Sequence, residues 1–93
     1  MLIDHVVRHH VLHVTLHRDL DVTNRAAVAL QIQALVQTHR PNRVVVAVPT
    51  ADPTPATLSA LARVDRMCAS LGIPLVLSGA SARTRRLLDV TGD

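Results

Sequence analysis

Apolar and polar positions alternate most cleanly in VLHVTLH (11–17), where Leu12, Val14 and Leu16 fall on one side and His13, Thr15 and His17 on the other. That period of two is the signature of a half-buried strand. LIDHVVR (2–8) precedes it, short and rich in β-branched residues, and HH (9–10) separates the two runs, so the pair predicts a hairpin. RDLDVTN (18–24) is a polar turn in which Thr23 or Asn24 can cap a following helix. That helix, RAAVALQIQALVQTH (25–39), sets Val28, Ile32, Leu35 and Val36 at helical spacing with Ala27, Leu30 and Ala34 beside them, predicting one broad apolar face. Pro41 ends it. RVVVAV (43–48) is a continuous apolar run suited to a central strand.

The second half of the chain continues with a helix, a strand and a helix. TLSALARVDRMCASLG (57–72) carries Leu58, Leu61, Val64, Cys68 and Leu71 at steps of three and four, and Gly72 suits a helix C-terminal cap. IPLVLS (73–78) predicts a fourth strand. SARTRRLLDVTG (81–92) predicts a third helix, with Ser81 at its N-cap and Gly92 just past its end. The order β-β-α-β-α-β-α requires parallel crossovers after the hairpin, right-handed by the general rule. The expected fold is therefore α/β: a mixed four-stranded sheet with one antiparallel edge hairpin and helices packed mainly on one face.

Length and composition narrow the picture. The chain of 93 residues fits a single domain over 1–93. A domain of this size buries roughly 60–65 % of the surface its unfolded chain exposes, which predicts modest stability. There is no Phe, Tyr or Trp, so the core is built from Val, Leu, Ile and Ala, and the stacking platforms of single-stranded nucleic-acid binders are missing. All basic residues are Arg and all acids Asp, with a net charge of only +3. Arg83 and Arg86 share a helix face, but Arg85 points elsewhere at roughly 100° per residue, so no compact basic patch forms even with Arg63 and Arg66. A nucleic-acid partner is not expected. The single cysteine, Cys68, excludes an internal disulfide and reads as a small buried hydrophobe, which fits a cytoplasmic protein. No apolar run reaches the roughly 18–20 residues that span a bilayer, so membrane insertion is not expected.

The histidines invite a metal reading that spacing argues against. His13 and His17, four residues apart on a strand, lie roughly 13 Å from each other, too far for one ion, and His5 across the hairpin adds no thiolate or carboxylate. No metal or other cofactor is expected. Nor is there a Gly-rich phosphate loop, a nucleophile with a neighbouring base or a carboxylate pair, so the chain does not read as an enzyme.

Several segments taken together resemble one family. HRDLD (17–21) before an Ala/Leu-rich helix, then RVVVAV, LGIPLVL (71–77) and RRLLDVTG (85–92) resemble the STAS domain of bacterial anti-sigma factor antagonists and sulfate-transporter tails, over nearly the whole chain. The resemblance implies a protein-binding module whose partner is an anti-sigma factor kinase or a related scaffold. In such antagonists an Asp-Ser-Ser-Gly turn enters the second helix, and phosphorylation of its first serine releases the kinase. A phosphate adds roughly −1.5 to −2 charges there, enough to disrupt a tight interface without arginine partners. STAS domains also serve as non-catalytic subunits of ABC lipid-transport systems, the alternative function the resemblance carries.

In this chain the corresponding stretch is PTADPTPATLSAL (49–61). Counted back from Gly72, the four-residue turn falls on Thr54, Pro55, Ala56 and Thr57, and the acceptor serine on Pro55; counted from the strand, it falls on Ala56. Neither has a hydroxyl. Thr54 is a good N-cap and Pro55 suits the first helical position, so rigidity replaces the switch. The partner surface implied by the resemblance comprises Thr54, Pro55, Ala56, Thr57 and Leu58, with Asp21 from the turn that resembles the family's Gly-x-Leu-Asp, where Arg18 stands for the glycine. Phosphorylation displaced to Thr54 or Thr57 is the remaining route to a switch. Many relatives carry a further strand and helix, so an exposed sheet edge or uncovered helix face is expected to favour a homodimer.

Overall fold

A computed structural model describes the backbone of residues 2–92 and the side chains of residues 2–88. Its elements follow the expected order: β1 Ile3–Arg8, β2 Val11–Leu16, α1 Arg25–His39, β3 Arg43–Ala47, α2 Pro55–Ser70, β4 Leu75–Ser78 and α3 Ala82–Gly92. The strands lie in sequence order, β1-β2-β3-β4, with β1 antiparallel to β2 and the others parallel. A sheet whose order never reverses has consequences. Right-handed crossovers between successive neighbours all pass over the same side, so the helices cover one face and leave the other bare.

Strand parity follows that division. Leu12, Val14, Leu16, Val44, Val46 and Leu77 are buried beneath the helices, where they meet Val28, Ile32 and Val36 of α1 and Leu61, Val64 and Cys68 of α2. The intervening His13, Thr15, Arg43, Val76 and Ser78 are exposed, as the alternation predicts for β2. Helix α2 is central, touching α1 on one side and α3 on the other. No helix among the described residues is long and apolar enough to cross a membrane.

Several local expectations need correction. The apolar face of α1 is narrower than its composition suggested: Ala27 and Ala34 are exposed and Leu30 is 53 % exposed, because α2 covers only a stripe along α1. Neither Thr23 nor Asn24 caps α1 through its side chain. Asn24 occupies the N-cap, but its Oδ1 accepts from the Asp21 N–H at 2.8 Å, while Asp21 Oδ1 accepts from the N–H groups of Thr23 and Asn24. Asp21 therefore organises this turn, and these hydrogen bonds, led by that from the Thr23 hydroxyl, hold its carboxyl below the ordinary value. Leu71 lies past the end of α2 and is 49 % exposed. Ile73 and Pro74 precede β4, and α3 runs through Gly92.

Left-handed residues set several turns, among them the end of α2 and the β1–β2 hairpin. At Gly72 φ is +73°, and the N–H groups of Gly72 and Ile73 donate to the carbonyls of Ala69 and Cys68, the paired closure that glycine permits at a helix end. The hairpin turn is less comfortable. His9 and His10 have φ of +51° and +64°, as a two-residue hairpin turn needs, without the asparagine or glycine that adopt it easily.

Candidate functional site

The N-terminus of α2 sits at the end of the sheet where the parallel strands finish. Thr54 takes extended backbone angles and its hydroxyl accepts from the Thr57 N–H, closing the cap, with Pro55 at the first helical position. Residues 54–57 therefore begin α2 as local chemistry predicts. What holds that helix end in place comes from elsewhere in the chain.

The loop after β2 supplies it. Asp19 Oδ1 accepts from the Thr54 N–H at 3.0 Å and from the Thr57 hydroxyl at 2.9 Å. Leu20 contributes both of its backbone groups: its N–H donates to Thr57 Oγ1 at 2.8 Å, and its carbonyl accepts from Thr54 Oγ1 at 3.0 Å. Thr57 is wholly buried, yet both its hydroxyl proton and a lone pair are engaged, which removes the penalty for burying them. Among the described residues no buried side-chain polar atom lacks a partner.

This arrangement constrains chemistry at the helix end. Pro55 has no N–H, and that of Thr57 is taken by Thr54 Oγ1. Little remains of the donor set with which a helix N-terminus ordinarily binds a phosphate. A phosphoryl group on Thr57 would require breaking its bonds to Asp19 and Leu20. Thr54, half-buried, would have to release the Leu20 carbonyl.

Of the predicted surface residues, Pro55 is exposed and Ala56 and Leu58 are half-buried. Thr54 and Thr57 face inward to the Asp19–Leu20 turn, so they shape the surface more than they present it. Asp21 belongs to the same turn, but its carboxylate is spent on the N–H groups of Thr23 and Asn24 ahead of α1. Pro55 and Leu58 line one end of a groove of about 310 Å³ between α2 and α3, completed by Ser59, Ala62, Arg66, Leu87 and Leu88. Its lining is largely apolar and Leu87 is 45 % exposed.

Sequence reasoning missed Asp19, which carries the network, and the α3 side of the groove. The adjacent Leu87 and Leu88 were a usable signal, since neighbouring residues on a helix point about 100° apart and only Leu88 reaches the core at 6 % exposure. Among the described residues no three His, Cys, Asp or Glu side chains converge on a common point. No protein-family model matches the chain, and no curated protein matches it.

Proposed function

We propose that this chain is a cytoplasmic, non-catalytic protein-binding module of the STAS type, docking an anti-sigma factor kinase or a related signalling scaffold without a serine switch. The observation that carries the reading is the immobilised start of α2, where a rigid Pro55–Leu58 corner opens onto the apolar groove beside Leu87. A fixed surface loses little conformational entropy on binding, so a modest apolar contact suffices. The position equivalent to the phospho-acceptor falls on Pro55 or Ala56, neither of which can carry a phosphate. The bonds that bury Thr57 disfavour moving the switch there, so binding in this reading is constitutive.

The test is affinity capture from the native cytoplasm with and without ATP, with the intact mass of the bait measured afterwards. An anti-sigma kinase recovered under both conditions, with no gain of about 80 Da on the bait, supports the proposal. A mass gain that maps to Thr54 or Thr57 and coincides with release overturns its constitutive part. Recovery of ABC-transporter subunits in place of a kinase replaces it with a transport role.

A further inference from the structure

The bare face of the sheet is ordered into three rows by the strand register. Val6, His13, Val45 and Val76 form the middle row, one residue from each strand. Asp4, Thr15, Ala47 and Ser78 form the row on one side of it, and Arg8, Val11 and Arg43 the row on the other. The middle row is mostly apolar, with Val6 49 % and Val76 45 % exposed and Val45 half-buried. The flanking rows differ in sign: one holds Asp4, the other two arginines.

We propose that this face binds a second copy of the chain, sheet on sheet, about a two-fold axis running along the middle row. Such an axis leaves each member of the middle row opposite its own counterpart and exchanges the flanking rows. Arg8 then lies across from Asp4 of the second copy, twice by symmetry, and Arg43 across from the small Ala47. No arginine meets an arginine. A two-fold axis along the strands would keep Arg8, Val11 and Arg43 in one row facing itself, with no acid opposite, so charge complementarity selects the first arrangement. Packed sheets align within about 30°, an offset that a long arginine side chain can span. This contact is independent of the proposed partner site, which lies on the helical side of the molecule.

The size of the face sets its strength. Four strands at about 4.8 Å spacing and five residues at about 3.3 Å each give roughly 300 Å² of flat area. That is well short of the roughly 800 Å² per partner of a standard stable interface, so the dimer belongs to the weak, reversible class.

Sedimentation velocity at pH 8, over protein concentrations from about 10 µM to about 1 mM, tests the proposal. The expected result is a monomer–dimer equilibrium that shifts with concentration. Val76→Arg, at a position 45 % exposed, weakens it by about ten-fold or more, and Val45→Arg does the same. Asp4→Arg weakens it through repulsion from Arg8, and adding Arg8→Asp in the same chain restores it, although the Asp4–His17 contact is lost in both variants. Circular dichroism establishes that each variant is folded. A chain that stays monomeric throughout the range overturns the proposal, as does a dimer indifferent to both valine substitutions. Failure of the double charge swap to recover association overturns the two-fold arrangement.

Discussion

The N-termini of α2 and α3 are built from the same parts, yet they are held differently. Each begins with a hydroxyl cap and carries a threonine three positions on: Thr54 and Thr57 in α2, Ser81 and Thr84 in α3. Each cap is clasped by the loop that precedes the neighbouring helix. Asp19 and Leu20, before α1, hold α2; Ala51 and Asp52, before α2, hold α3. Thr84 donates to the Ala51 carbonyl at 2.8 Å and lies within 3.3 Å of Asp52 Oδ1, and Ser81 donates to Asp52 at 2.8 Å. The clasps thus form a relay across one end of the sheet, each loop fastening the helix one step further along.

The difference lies in what depends on each carboxylate. Asp19 accepts from a backbone N–H and a buried hydroxyl, and Thr57 in turn receives the Leu20 N–H. Asp52 is exposed and accepts only from hydroxyls, while Thr84 keeps the Ala51 carbonyl without it. Similar motifs therefore carry unequal weight. An unsatisfied buried group costs far more than a hydrogen bond that water can replace.

Breaking the clasps one at a time should expose that inequality. The largest effect is expected for Asp19→Ala, which leaves the Thr57 hydroxyl and the Thr54 N–H without their acceptor. A loss of about 2–3 kcal/mol in urea unfolding is expected, whereas Asp52→Ala should cost about 0.5–1 kcal/mol. Equal losses would mean that the clasps are equivalent. Next comes the threonine pair. Thr57→Val, which keeps the shape but strands the Leu20 N–H, should cost about 2 kcal/mol, and Thr84→Val about 1 kcal/mol.

Cys68 sharpens the comparison, because it lies on α2 and so gauges that helix alone. Burial, reinforced by the nearby Asp65 charge, pushes its thiol up to about 11 from an ordinary 9.0. The fold therefore favours the protonated thiol. Its contribution to stability is fully present below pH 9.0 and is lost as pH rises through about 11. The chain has no lysine or tyrosine to titrate in that window, so the alkaline limb of a stability–pH curve should disappear in Cys68→Ala. Thiol labelling of the native protein should be slow, faster in Asp19→Ala and nearly unchanged in Asp52→Ala. The smallest effect concerns Asp21. Its lowered carboxyl contributes stability above its ordinary 3.8 that is lost as pH falls through the depressed value, so Asp21→Asn should flatten the acid limb slightly.

The sequence by itself determined the elements and their order. Alternation in β2, the three- and four-residue steps of α2, the Thr54–Pro55 start and the Gly72 stop are local features, and local sterics and hydrogen bonding decide them wherever the segment lies. Tertiary structure alone decided which polar groups meet. Asp19 finds Thr57 across 38 positions, and Asp52 finds Thr84 across 32. A hydroxyl accepts any partner within about 3 Å, so nothing in the spacing of Thr54 and Thr57 points to Asp19 until the strands are laid side by side. The same limit left Leu30 assigned to an apolar face yet exposed. Periodicity reveals that a face is apolar, but only the placement of neighbouring elements decides whether anything covers it.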